Sequence, residues 1–165
     1  MASTYPTPVY TAPFPDADIR RMAGVNDFLL AVGRIVLVGM FIFSGASKFM
    51  DLSGIAAQIA SKGLPAPMAL AAVAALAEMA GGILIVVGWW TRPVALGLLI
   101  YTLIATYFFH DFWHLPPGAE QTNAMIHAMK NLAIAGAFPM LTAVGAGRFS
   151  VDGPCIMHDR TTTAS

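Results

Sequence analysis

The sequence predicts an all-α membrane protein, a transmembrane four-helix bundle of up-down-up-down connectivity, with a short interfacial helix between the first and second spans. Three observations carry this expectation. Hydrophobic residues make up 57% of the 165 and charged ones only 11%, and mean hydropathy is +0.68, against about 45–50% apolar residues in soluble domains. Four apolar runs, 28–50, 66–90, 93–113 and 122–146, each approach the roughly 20 residues that cross about 30 Å of hydrocarbon. The joints between them carry the Gly, Pro and Trp residues that punctuate membrane spans.

Taken in order, residues 1–27 hold Pro6, Pro8, Pro13, Pro15 and the Arg20-Arg21 pair. They read as an N-terminal arm, extended first and interfacial later. The first apolar run begins near Phe28 and is long enough to remain in the membrane, unlike a cleavable signal. The segment 51–65 is too polar to span, and Leu52, Ile55 and Ile59 fall at helical spacing, which predicts a short helix lying at the surface. Pro65, Pro67 and Pro93 suit helix starts. The turn around Arg92 is tight and makes the second and third spans antiparallel neighbours. Pro139 removes one backbone donor in the fourth span and predicts a kink. Residues 28–147 thus form the membrane domain and 148–165 a C-terminal tail.

Loop charges set the expected orientation. Arg20, Arg21, Arg92, Arg148 and Arg160 fall on one side, and Lys48 and Lys62 on the other. The arginine-rich side, with both termini, is expected to be cytoplasmic, as in an integral protein of a bacterial inner membrane. Zero formal net charge gives no argument for nucleic acid. The one cysteine, Cys155, lies beyond the last span, which excludes an internal disulfide or a thiolate metal cluster and leaves an inert tail thiol.

A charge at bilayer depth costs at least about 2.5–3.5 kcal/mol, so each needs a partner and suggests a site. Arg34, Lys48, Glu78, Lys130 and Asn131 fall inside the predicted spans, and His110, Asp111, His114 and His127 near their outer ends. Around Glu78 lie Ala71, Ala74, Ala75, Gly81 and Gly82, small residues that let another helix approach. Lys130 is the first candidate partner of Glu78, at a depth offset of roughly 6 Å, and Arg34 the second, at roughly 9 Å. Arg34, Phe41, Gly45 and Lys48 share one stripe of the first span. Asn123, His127, Lys130 and Asn131 share one on the fourth, and Thr102, Thr106 and His110 a weaker one on the third.

Converging on the bundle axis, these residues would form an interior of net positive charge, suited to a small anion or to a quinone oxygen that becomes negative on reduction. A buried Lys-Glu pair can equally fix helix register alone, and Arg34 and Lys48 can snorkel to opposite interfaces. His110 and His114, four apart with His127 at similar depth, admit a metal or haem iron, but histidines also populate interfacial belts. No metal is expected.

In these residues the chain resembles the DoxX family of small four-helix membrane proteins. The matching pieces are Arg34 with Gly45-Ala46-Ser47-Lys48, Gly63-Leu64-Pro65, Glu78 and Gly88 through Arg92-Pro93. Later come Phe112-Trp113, Gln121, Lys130-Asn131 with Gly136, and the stretch from Gly145 to Asp152. The likeness runs from Val32 to Gly153. It implies association with membrane oxidoreductases, thiosulfate:quinone oxidoreductase among them. With no cysteine inside the membrane, such a role would use quinone, a bound cofactor or a partner subunit. The expected partners are the lipid bilayer and either other membrane subunits or further copies of the chain. The competing expectations are a non-catalytic accessory subunit and a transporter, against which the lack of an inverted repeat and the small number of spans both count.

Overall fold

A computed structural model describes residues 16–153, with side chains from residue 24 onward. The arm before Asp16, the side chains of Arg20 and Arg21, Cys155 and Arg160 lie outside the described residues. Among those described, the elements are α1 (Asp16–Met50), α2 (Leu52–Ser61), α3 (Pro67–Val87), α4 (Thr91–Phe109), a 3-10 turn (Phe112–His114) and α5 (Ala119–Val144). Three stretches, Gly24–Met50, Pro67–Val87 and Thr91–His114, are long and apolar enough to cross a membrane. The 26-residue α5 has the length, but Asn123, His127, Lys130 and Asn131 make it less apolar.

The first helix begins at Asp16, before the expected start at Phe28, so the stretch read as interfacial is helical and continuous with the membrane-length part that starts at Gly24. At the other boundary, α4 stops at Phe109, short of the expected 113. There His110 leaves the helical conformation at φ −127° and ψ 43°, and the 3-10 turn reverses the chain toward α5. Through Pro139 the helix α5 runs on without a break.

The order of packing is α1 on α3, α3 on α4 and α4 on α5, with α2 laid against α3. Small residues set this order. A Cβ at Gly45 would lie 2.7 Å from the Met79 nitrogen and 3.0 Å from the Ala75 oxygen, and one at Gly82 would lie 2.6 Å from Ile42. Helices α1 and α3 therefore touch backbone to backbone, the close approach that small residues permit in membranes. Gly45→Leu must push them apart, and we expect a loss of about 1–3 kcal/mol. Gly39→Leu, at a position with nothing within 4 Å, is the silent control in thermal unfolding in detergent.

Val38, Phe41, Ile85, Leu98 and Phe138 form the core. The ring pair Phe41–Phe138, edge-on with centroids 5.7 Å apart, joins α1 to α5. The short helix α2 starts at Asp51, whose side chain accepts from the Gly54 N–H at 2.9 Å. It buries Ala56 and Ile59 against Ala71, the apolar face expected of the connecting helix.

Helices α1, α4 and α5 meet at one end, beside the joint between α3 and α4. There residues 146–153 fold back beneath the bundle: the Val151 N–H donates to the Val87 carbonyl at 3.1 Å and the Asp152 N–H to that of Gly88 at 2.8 Å. The Asp152 carboxylate caps α4 by accepting from the N–H groups of Trp90 and Thr91, both at 2.9 Å. It also holds Trp90 at φ 51°, where a non-glycine residue is strained. Burial works against the Asp152 charge, but the Thr91 and Trp90 N–H groups and the Arg34 charge outweigh it and hold the carboxyl below its ordinary value. A lowered native value means that this stabilisation is complete above the ordinary carboxylate range and is withdrawn as pH falls through it. Acid titration of unfolding should show Asp152→Asn losing part of the low-pH destabilisation seen in the parent.

Candidate functional site

Glu78 lies on α3 with 6% of its surface exposed. Its Oε2 accepts from Lys48 Nζ at 2.7 Å and its Oε1 from the Tyr101 hydroxyl at 2.6 Å. Lys48 Nζ donates also to Ser44 Oγ at 2.6 Å. Three helices, α1, α3 and α4, thus close on one carboxylate whose two oxygens are both bonded to donors. Lys130, the first expected partner, does not reach it. The glycine contacts make α1 the neighbour of α3, whereas α5 packs on α4 rather than on α3, so the cation comes from α1.

Arg34 is likewise not a partner of Glu78. It is 3% exposed and reaches toward the end where the helices meet. Its Nη1 donates to the Ile85 carbonyl at 3.3 Å and its Nη2 to that of Phe149 at 2.5 Å, while its Nε is buried without a partner among the described residues. Arg34 therefore ties α1 to the end of α3 and to the C-terminal segment.

Further out, between α4 and α5, a file of polar side chains begins next to Tyr101. Thr102 is buried and donates to its own helix at Leu98. Asn131 donates from Nδ2 to Thr106 Oγ1 at 3.0 Å. The imidazoles of His110 and His127 stack with centroids 5.3 Å apart and planes 17° apart, and Lys130 Nζ lies 3.3 Å from His127 Nδ1. From Tyr101 to His110 the file runs about 14 Å along α4 at 1.5 Å per residue. Lys130 and His127 are both exposed, and among the described residues no carboxylate lies within 4 Å of Lys130. At the rim, Lys62 Nζ holds Asp111 at 2.9 Å, and His114 Nδ1 stands 3.6 Å from the same carboxylate.

The break in helix α4 parts the two rim histidines. His110 joins His127, whereas His114 sits in the 3-10 turn on Asp111, so they do not share a helical face. Among the described residues no group of three or more His, Cys, Asp or Glu side chains could hold a metal ion. Of the predicted residues, the fold brings Lys48 and Glu78 together, and separately His110, His127, Lys130 and Asn131. Tyr101 is the residue that sequence reasoning missed. On α4 alone it is one more aromatic in an apolar run, and only the depth of Glu78 on the neighbouring helix marks it.

The DoxX family model matches residues 29–111. Inner membrane protein YphA of Escherichia coli (strain K12) is 40% identical over 124 residues, covering 75% of this chain and 88% of that protein. The chain belongs to the DoxX family. A second relative, inner membrane protein YqjF of the same organism, is 32% identical over 131 residues, covering 79% of this DoxX chain and 95% of its own. No solved structure matches significantly. With its membrane-length helices and inner-membrane relatives, this DoxX protein is an integral protein of the bacterial inner membrane. The family match takes in Arg34, Lys48, Glu78, Tyr101 and His110, and stops before α5.

Proposed function

We propose that this DoxX protein is the quinone-binding membrane component of an oxidoreductase system, working at the polar file between Tyr101 and the His110–His127 pair. The observation that carries the reading is the file itself. A structural lock needs only Lys48, Glu78 and Tyr101, which satisfy one another. It gives no reason for Asn131, His127 and Lys130 to continue outward, with a cation exposed at membrane depth where it is costly.

Reduction of a quinone to the quinol takes two electrons and two protons. The electrons come from a partner subunit that carries a redox centre, since this chain offers no thiol inside the membrane. The protons are the part that these residues can serve. Lys130 and His127 can donate to a quinone oxygen as negative charge develops on it, and imidazole is the side chain best suited to relay a proton. Glu78, Tyr101 and Lys48 form the closed inner end. The arginine-bearing end of the bundle is cytoplasmic by the sequence count of Arg20, Arg21, Arg92, Arg148 and Arg160 against Lys48 and Lys62, which sets the polar file facing the periplasm.

Protein purified in mild detergent from native membranes should carry extractable quinone in stoichiometric amount. Lys130→Met with His127→Phe should lose it while unfolding at nearly the same temperature as the parent. A parent protein without quinone, in stoichiometric complex with other subunits, would favour the accessory-subunit reading instead.

A further inference from the structure

At the opposite end of the bundle two cavities adjoin. The first, of about 670 Å³, lies where α1, α4 and α5 meet and is lined by Asp27, Trp90, Arg92, Gly145, Gly147 and Arg148. The second, of about 710 Å³, is a cleft between α1 and α5, with Leu29, Gly33, Val36, Ala137 and Met140 along it and Arg34 among its lining residues. They share Leu30 and Val144. Val36 and Met140 are exposed, so the cleft faces outward from the bundle, toward the acyl chains of the bilayer.

We propose that this end of the protein holds an anionic phospholipid, its phosphate between Arg92 and Arg148 and one acyl chain in the cleft between α1 and α5. The depth fits. Trp89 and Trp90 are exposed beside the first cavity, and tryptophan marks the headgroup level of a membrane. The guanidinium of Arg92 lies over Gly145, where a Cβ would stand 3.6 Å from its Nε, an ordinary contact.

The charge also fits. Among the described residues three cations, Arg34, Arg92 and Arg148, and two acids, Asp27 and Asp152, lie at this end. Both acids are moreover engaged by backbone donors: Asp27 Oδ1 accepts from the Arg148 N–H at 3.1 Å, and Asp152 accepts from Trp90 and Thr91. The Arg148 side chain keeps only a long contact with Asp27, 4.0 Å from its Nε. Arginines in such a pocket between spans suit a phosphate, which guanidinium groups bind with two parallel hydrogen bonds. Below them the walls are apolar. Arg34, whose buried Nε–H has no partner among the described residues, lines the cleft, where a glycerol-ester carbonyl of the lipid would supply an acceptor. The inference stands apart from the quinone reading, which concerns the other half of the membrane.

Native mass spectrometry of the protein released from nanodiscs of phosphatidylcholine mixed with phosphatidylglycerol tests it. The parent should retain phosphatidylglycerol in preference to phosphatidylcholine. Arg92→Gln with Arg148→Gln should reduce that retention at least about tenfold, a factor that corresponds to about 1.4 kcal/mol. Gly33→Phe, at a position with nothing within 4 Å, should fill the cleft and displace the lipid with every arginine in place. Glu78→Gln should leave retention unchanged. Equal retention of the two lipids, full retention in both the arginine and the Gly33 variants, or the same thermal stabilisation from inorganic phosphate alone would overturn the proposal.

Discussion

Lys48→Met is expected to destabilise the protein by about 3–5 kcal/mol, the usual cost of removing one partner from a buried ion pair. The Glu78 side chain is 8% exposed and that of Lys48 20%. The carboxylate is therefore the group that cannot escape to water, and stripping it of its cation is the more damaging half of the exchange. Glu78→Leu should cost less, because the longer lysine chain can turn toward the interface. The double variant Lys48→Met, Glu78→Leu should recover most of the loss, since an apolar pair of similar volume avoids desolvating both charges. Unfolding of all three in the same detergent, treated as a double-mutant cycle, gives the coupling directly. Lys130→Met in the same series should change stability by no more than about 0.5 kcal/mol, which separates the observed partner from the one that helix depth suggested.

Arg34→Leu should cost about 3 kcal/mol, because it strips the Ile85 and Phe149 carbonyls of charged donors in a region that water does not freely reach. The effect should be local as well as large. The segment 146–153 is held by Arg34 at Phe149, by backbone bonds to Val87 and Gly88 and by the Asp152 cap. Hydrogen exchange should therefore accelerate at Val151 and Asp152 while the amides of α1 and α4 keep their protection. Arg34→Lys should not rescue it, since a single ammonium cannot span two carbonyls on different elements as the guanidinium fork does.

The four long helices were legible because membrane spans are the case in which length and hydropathy decide structure: lipid satisfies no backbone group, so each apolar run must be helical. The small connecting helix was legible from Leu52, Ile55 and Ile59. Which helices touch was not. Seen alone, Gly45 and Gly82 are two of many small residues, and only their mutual contact makes α1 the partner of α3. Depth counting then favoured Lys130 over Lys48 because it measures position along the membrane normal and nothing around the bundle axis. The same limit hid Tyr101, which reaches Glu78 from a third helix. Arg34 was legible as costly at its depth, but its actual acceptors are carbonyls at a helix end and in a tail segment, which carry no side-chain signal. The break at His110 escaped because Phe112 and Trp113 extend the apolar run past the point where the backbone turns.

The most direct test of the quinone site is redox-induced infrared difference spectroscopy of the protein in nanodiscs containing quinone. Reduction of the bound quinone should perturb imidazole bands, and isotopic labelling of histidine should shift them. Those bands should disappear in His127→Phe while the helical amide signature persists. A parent spectrum with quinone reduced and the histidine bands unchanged, or bands that survive in His127→Phe and in His110→Phe alike, would contradict a quinone bound at the polar file.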